Sequence, residues 1–214
     1  MTITQLQETK KGRFSVFVDG EFLFSVHKDT FLTRQELALG RQITVETLEE
    51  IRLADELLSC KEKALTLLEY SSHSAGRLAE KLRRFYPAET VEAVIQRLTE
   101  LGLLDDLDYG RRLAADLLNL RGYSLGRVRQ ELYRRRLDPE TIQEVMDGLG
   151  DVDQIGPIVA LVRKKYLQKL REPQGRGKVA AALQRRGYQY DEIREALALV
   201  LEELPDEDEE EGEE

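Results

Sequence analysis

The sequence predicts a mainly α fold: an elongated array of three tandem three-helix repeats behind a small N-terminal β-hairpin. Three observations carry that reading. Residues 1–27 alternate with period two, the periodicity turns helical from Thr33 onward, and after Lys61 the chain repeats itself at a period near fifty residues. Hydrophobic residues make up 41% and charged residues 34%. That balance suits a thin core with much surface, as in stacked repeats.

The hairpin comes first. Arg13 to Val18 and Glu21 to Val26 flank Asp19-Gly20, a two-residue turn signal because both positions need positive φ. Phe14, Val16 and Val18 share one face, as do Phe22, Phe24 and Val26, and Ile3 to Gln7 is a candidate third strand. A lone hairpin is marginal in water, so its apolar face must pack on the helices that follow. Leu48, Ile51, Leu53, Leu57 and Leu58 suit one helix opening at Thr44.

The repeats follow. Ser74-Ala-Gly-Arg-Leu78 with Leu82 returns as Ser124-Leu-Gly-Arg-Val128 with Leu132, and more loosely as Gly177-Lys-Val179 with Leu183. The next helix recurs as Val91/Val94/Ile95, Ile142/Val145/Met146 and Ile193/Leu197. Ser74 and Ser124 suit N-caps, and Asp138-Pro139-Glu140 supplies a cap, a first-turn proline and an acid. Leu101-Gly-Leu103 reads as a helix stop, and Asp105-Asp106 as the cap of the next helix rather than a cation site. Pro173 to Gly177 reads as the most flexible internal loop. The expected layout is hairpin 1–27, linking helices 28–60, repeats 61–108, 109–155 and 156–204, and a disordered acidic tail 205–214.

Composition narrows the function classes. The single cysteine, Cys60, sits in a helical stretch and reads as a buried thiol. Neither a signal-peptide core nor an apolar run of membrane-spanning length is present, so a cytoplasmic location is expected. Gly177-Lys178 lacks the rest of a phosphate-binding loop, and two histidines with one cysteine leave little material for zinc or a Cys–His pair. No enzyme, cofactor or metal is expected.

The net charge of −9 divides unevenly: −5 over 1–108, +8 over 109–188, −2 over 189–201 and −10 over 202–214. A basic middle points to an anionic partner, with a solvated charged face as the plain alternative. Arg77 and Arg127 lie in the first turn of a helix, against the macrodipole. For Arg77 an ion pair with an acid such as Glu69 is expected. For Arg127, with Asp116 as its possible acid, partner contact is expected, because Arg121, Arg129, Arg134, Arg135 and Arg136 surround it. Arg163, Lys164, Lys165, Lys169, Arg171, Arg176, Lys178, Arg185 and Arg186 form a second basic tract opposed only by Glu172. Tyr166 and Tyr188 lie within it, either stacked on bases or, more ordinarily, packed between helices.

Gly102-Leu-Leu-Asp-Asp106 with Tyr109, then Arg121-Gly-Tyr123 with Gly126-Arg-Val-Arg-Gln-Glu-Leu132, resemble blocks of the RecX family, regulators of the RecA recombinase. Arg163-Lys-Lys-Tyr166, Leu183-Gln-Arg-Arg-Gly-Tyr188 and Asp191-Glu-Ile193 are similar to its third repeat. The match runs from the hairpin to about Leu204, and the hairpin looks like an extension of some members. Arg136 departs from it, standing where the family often has a glycine closing a helix, and the acidic tail has no counterpart. The resemblance implies a curved three-repeat molecule in the groove of the RecA filament on single-stranded DNA. It further implies modulation, usually inhibition, of strand exchange, ATP hydrolysis and co-protease activity.

A non-catalytic binding regulator, monomeric and without a membrane partner, is therefore the expectation. DNA binding in its own right through helix-turn-helix-like pairs is the alternative. The expected contact residues are Arg121, Arg127, Arg129, Arg134, Arg135, Arg163, Lys164, Lys165, Lys178, Arg185 and Arg186.

Overall fold

A computed structural model describes residues 1–150 and 153–203. The expected acidic tail, 205–214, lies outside the described residues. The chain divides into two compact units, Met1–Asp105 and one that begins at Asp106.

In the first unit, strands β1 (Ile3–Glu8), β2 (Arg13–Val18) and β3 (Glu21–His27) form one antiparallel sheet in sequence order. The third strand is thus present, and Asp19 (φ 50°) and Gly20 (φ 90°) both adopt the left-handed turn conformation that their residue types favour. The alternation fails at one place. Val16 pairs with Phe24 but Phe17 pairs with Phe22, which leaves Leu23 as an extra residue in a bulge. The bulge moves Phe22 off the core face, where it stays 58% exposed, while Val16, Val18 and Val26 are buried.

Helix α1 (Lys28–Thr33) follows β3 directly, and α2 (Val45–Tyr70) is capped by the Thr44 hydroxyl, which accepts the Thr47 N–H. Leu48 and Ile51 of α2 pack under the sheet. Leu53 and Leu57 do not. They lie away from the buried stripe and are 45% and 41% exposed. The stripe instead includes Asp55, whose buried carboxylate takes the Arg13 guanidinium and the His27 N–H, while Arg13 also donates to the Ser59 hydroxyl at 3.1 Å. A buried carboxylate held by a guanidinium on one oxygen and a backbone N–H on the other ties the sheet to α2. The far half of α2 packs with α3 (Ala75–Leu82) and α4 (Ala88–Glu100) around Cys60, Leu78, Leu82, Val91 and Leu98.

The second unit holds α5 (Asp106–Asn119), α6 (Leu125–Arg134) and α7 (Pro139–Asp147). After them come α8 (Ile155–Lys165), the single-turn α9 (Leu167–Leu170), α10 (Gly175–Gln184) and α11 (Tyr190–Glu202). The repeated pairs Leu78/Leu82, Val128/Leu132 and Val179/Leu183 are all fully buried, as an i, i+4 core stripe requires. Ser74, Ser124 and Asp138 accept the N–H three residues on, as their cap positions demand. The segment expected as a flexible loop is largely helical. Gly175 to Gly177 form the first turn of α10, and buried Gly175 lies so close to the end of α9 that a Cβ there would be 1.9 Å from the Lys169 carbonyl oxygen.

Candidate polyanion-binding surface

The expected contact residues all fall in the second unit, and the structure sorts them into two kinds. One kind is already engaged within the fold. Arg127 donates to Glu131 at 3.0 Å and lies over the Tyr123 ring at 5.7 Å. Its expected acid, Asp116, is replaced by one a helical turn further along its own helix. Arg186 donates to the Arg121 and Ala182 carbonyls and covers the Tyr166 ring at 5.6 Å. The Ser124 N–H bonds the Arg186 carbonyl at 3.0 Å, and a Cβ on Gly187 would come within 2.7 Å of both the Ser124 hydroxyl and the Arg127 Cβ. Arg127 and Arg186 therefore belong to the joint between α6 and the end of α10. Arg134 pairs with Glu131 at 3.2 Å and Arg163 with Glu203, while Lys178 approaches Glu172 at 3.6 Å. Arg129 donates to Gln143 and Arg135 to the Tyr109 hydroxyl. Arg121 and Arg135 also share a polar hollow of about 200 Å³ with Asp116 and Glu131.

The other kind is exposed and forms no ion pair among the described residues: Lys164, Lys165 and Arg185, joined by Lys169, Arg171 and Arg176. Lys164 and Lys165 end α8, where the helix dipole favours cations, so their placement alone has an ordinary explanation. Arg176 and Lys178 have none of that kind. They occupy the first turn of α10, which has no side-chain cap and no acid. The sequence places Arg176 in the second basic tract but not among the expected contact residues.

The tyrosines separate as well. Tyr188 is 5% exposed in the α8–α11 core, where burial raises its hydroxyl pKa, and Tyr166 packs beneath Arg186. Both take the packing role. Tyr190, two residues past Tyr188, is 62% exposed.

In the first unit Arg77 pairs with Glu80 at 2.6 Å rather than with Glu69. The larger groove there, about 620 Å³, opens between the β2–β3 turn and the start of α2, with Asp19, Glu21 and the Glu49–Arg52 ion pair on its walls, so its acids outnumber Arg52. Those acids repel a polyanion. Cys60 is buried and its thiol is pushed up to about 11, chiefly by burial, so it is not a nucleophile at neutral pH. One group of potential metal ligands exists among the described residues: His27, Asp29 and Glu62, with ligand atoms within 4.8 Å of one another. Both histidine nitrogens have local duties, Nδ1 accepting the Asp29 N–H and Nε2 facing Glu62 at 3.2 Å.

Four family models match the chain. Regulatory protein RecX N-terminal domain covers residues 1–44. The first, second and third RecX three-helix domains cover 60–98, 105–146 and 158–197. Regulatory protein RecX of Clostridioides difficile is 28% identical over 93% of this chain and 95% of its own length. That of Bacillus subtilis is 28% identical over 91% of this chain and 75% of its own. Among solved structures, a regulatory protein RecX superposes with a TM-score of 0.63 at 21% identity, covering 94% of this chain and 99% of that one. RecX from Lactobacillus salivarius gives 0.58 at 19%, covering 69% and 97%.

Proposed function

The chain belongs to the RecX family, a family of regulatory proteins, and on that footing we propose that it is a non-catalytic regulator of the RecA recombinase. It binds the RecA filament on single-stranded DNA and lowers strand exchange, ATP hydrolysis and co-protease activity. The observation that carries the reading is the match of all three RecX three-helix domains in order, joined to exposed cations on the third that form no ion pair among the described residues. Lys164, Lys165 and Arg185 meet phosphate or acidic filament surface, Arg121, Arg129, Arg134, Arg163 and Lys178 border that contact, and Arg127, Arg135 and Arg186 hold the surface in shape. The protein acts as a monomer in the cytoplasm. No described helix is long and apolar enough to cross a membrane.

Co-sedimentation with RecA filaments, assembled with and without single-stranded DNA, tests this. The chain is expected in the pellet with DNA-bound filaments. Recovery in the supernatant at low salt refutes the reading. Binding to naked DNA as tightly as to the filament, with an affinity that falls steeply as salt rises, would instead favour DNA binding in its own right.

A further inference from the structure

We propose that the groove between α10 and α11 is a subsite for single-stranded nucleic acid, taking a base against Tyr190 and the neighbouring phosphates on Arg176 and Arg194. The proposal deepens the reading above and rests on its premise that a nucleic-acid strand reaches the third repeat.

The groove encloses about 390 Å³, within the range of small-ligand sites. Ala180, Ile193 and Leu197 give it an apolar floor, no carboxylate among the described residues lines it, and Arg176 and Arg194 stand on its walls. Tyr190 opens α11 at one end, and Ala198 lies about 12 Å further along the helix at 1.5 Å per residue. That length suits a base and the phosphates on either side of it.

Three features fit this occupant over a peptide or an apolar ligand. Tyr190 is a large aromatic ring left 62% exposed at the edge of an apolar floor, the arrangement that stacks a base regardless of sequence. Arg176 is unpaired among the described residues, and Arg194 has only a loose 3.7 Å approach to Asp191, so both guanidiniums are open to phosphate. Arg176 and Lys178 also sit in the uncapped first turn of α10, where the amides of Arg176 and Gly177 have no partner among the described residues. A Cβ at Gly177 would meet nothing within 4 Å, so no neighbouring side chain crowds this turn from outside. Lys178 has Glu172 at 3.6 Å, whereas Arg176, placed against the helix dipole beside free amide donors, has no acidic partner among the described residues and is stabilised by an incoming anion.

The experiment titrates the full chain into fluorescein-labelled oligo(dT), and into the same oligonucleotide with abasic residues in place of thymidine, at low and moderate salt. The wild type should prefer the base-bearing strand about tenfold. Tyr190→Phe should keep that preference and Tyr190→Ala should abolish it, with helicity unchanged by circular dichroism. Arg176→Gln and Arg194→Gln should weaken both strands and lower the salt slope by about 0.7 each, the value for one phosphate on a single strand. If oligo(dT) binds but Tyr190→Ala leaves the base preference intact, the groove is not the stacking site, while the proposed cationic contact stands. If a polyglutamate peptide displaces the strand and no base preference exists, the surface reads charge alone and the subsite is overturned. If neither oligonucleotide binds at low salt, direct nucleic-acid contact fails along with the subsite, and filament binding must run through protein surface.

Discussion

Arg136 shows how one residue reports on the fold it has to serve. It closes α6 at φ 62°, the left-handed conformation, and the helix still ends in a wrapped turn, with the Arg136 N–H on the Tyr133 carbonyl and the Leu137 N–H on the Leu132 carbonyl. The corresponding position of the third repeat is Gly187, at φ 93°. The departure from glycine therefore leaves the helix end intact and puts the cost into the backbone, about 1–2 kcal/mol for a residue with a Cβ. Arg136→Gly should raise the melting temperature by a few degrees. Arg136→Ala removes the same side chain without relieving the backbone and should not, so thermal denaturation of the two variants separates strain from lost contacts. Asp138, two residues on, offers a pH test. Its carboxylate accepts from the Thr141 hydroxyl and N–H, which hold its pKa below the usual carboxylate value. A depressed folded-state pKa adds stability above the unfolded value, near 3.9, and that stability is lost as pH falls through the folded value. Asp138→Ala should therefore cost about 1 kcal/mol at pH 7. In urea titrations that cost should shrink as the pH drops below about 4.

At the scale of elements, the sequence displayed its repeats because each second helix buries the same i, i+4 pair, and it displayed its helix starts because Ser74, Ser124 and Asp138 are strong caps. Long-range packing was not legible in the same way. Gly175 resembles a flexible linker residue until the Lys169 carbonyl is seen occupying the place of its Cβ. The bulge at Leu23 breaks an alternation that looked regular, and Asp55 displaces leucines from the core stripe because Arg13 lies across from it. The candidate site was legible in composition, since the excess of cations was plain. Its division was not, because Arg127 and Arg186 look like contact residues until the joint between α6 and α10 is in view. That joint makes a sharp prediction. Gly187→Ala adds a Cβ 2.6 Å from the Ser124 hydroxyl at a left-handed φ. It should lower stability by about 1–3 kcal/mol. Hydrogen exchange should show the loss first in the amides of the α6 N-terminus and the end of α10. Faster exchange confined to α7 would mean the joint does not hold the two repeats.

Over the whole molecule the decisive quantity is where charge is left unneutralised. Residues 1–108 carry −5 and residues 109–188 carry +8, so an anionic partner is attracted to the second and third repeats and repelled by the first. Ion pairing sharpens the contrast. Arg83 of the first repeat pairs with Glu92 at 3.3 Å, whereas Lys164 and Lys165 have no acidic partner among the described residues. Replacing Lys164 and Lys165 by Glu removes two cations and adds two anions to a tract in which Lys169 and Arg171 also have no ion pair among the described residues. Binding to RecA–DNA filaments should fall about tenfold or more at low salt. The same reversal at Arg83 and Arg84 should change it by less than about threefold, because acids dominate that half of the chain and its local pairs screen the change. Both variants need measurement at two ionic strengths. Raising salt from about 0.01 M to 0.15 M shortens the Debye length from about 30 Å to 8 Å, which erases diffuse attraction and leaves direct contacts standing. A Lys164/Lys165 defect that persists at the higher salt places those lysines in the contact. A defect that vanishes there assigns them to steering alone. Equal losses from the two pairs would remove charge asymmetry as the basis of partner choice, and no loss from either would move recognition to the uncharged side chains of the repeats.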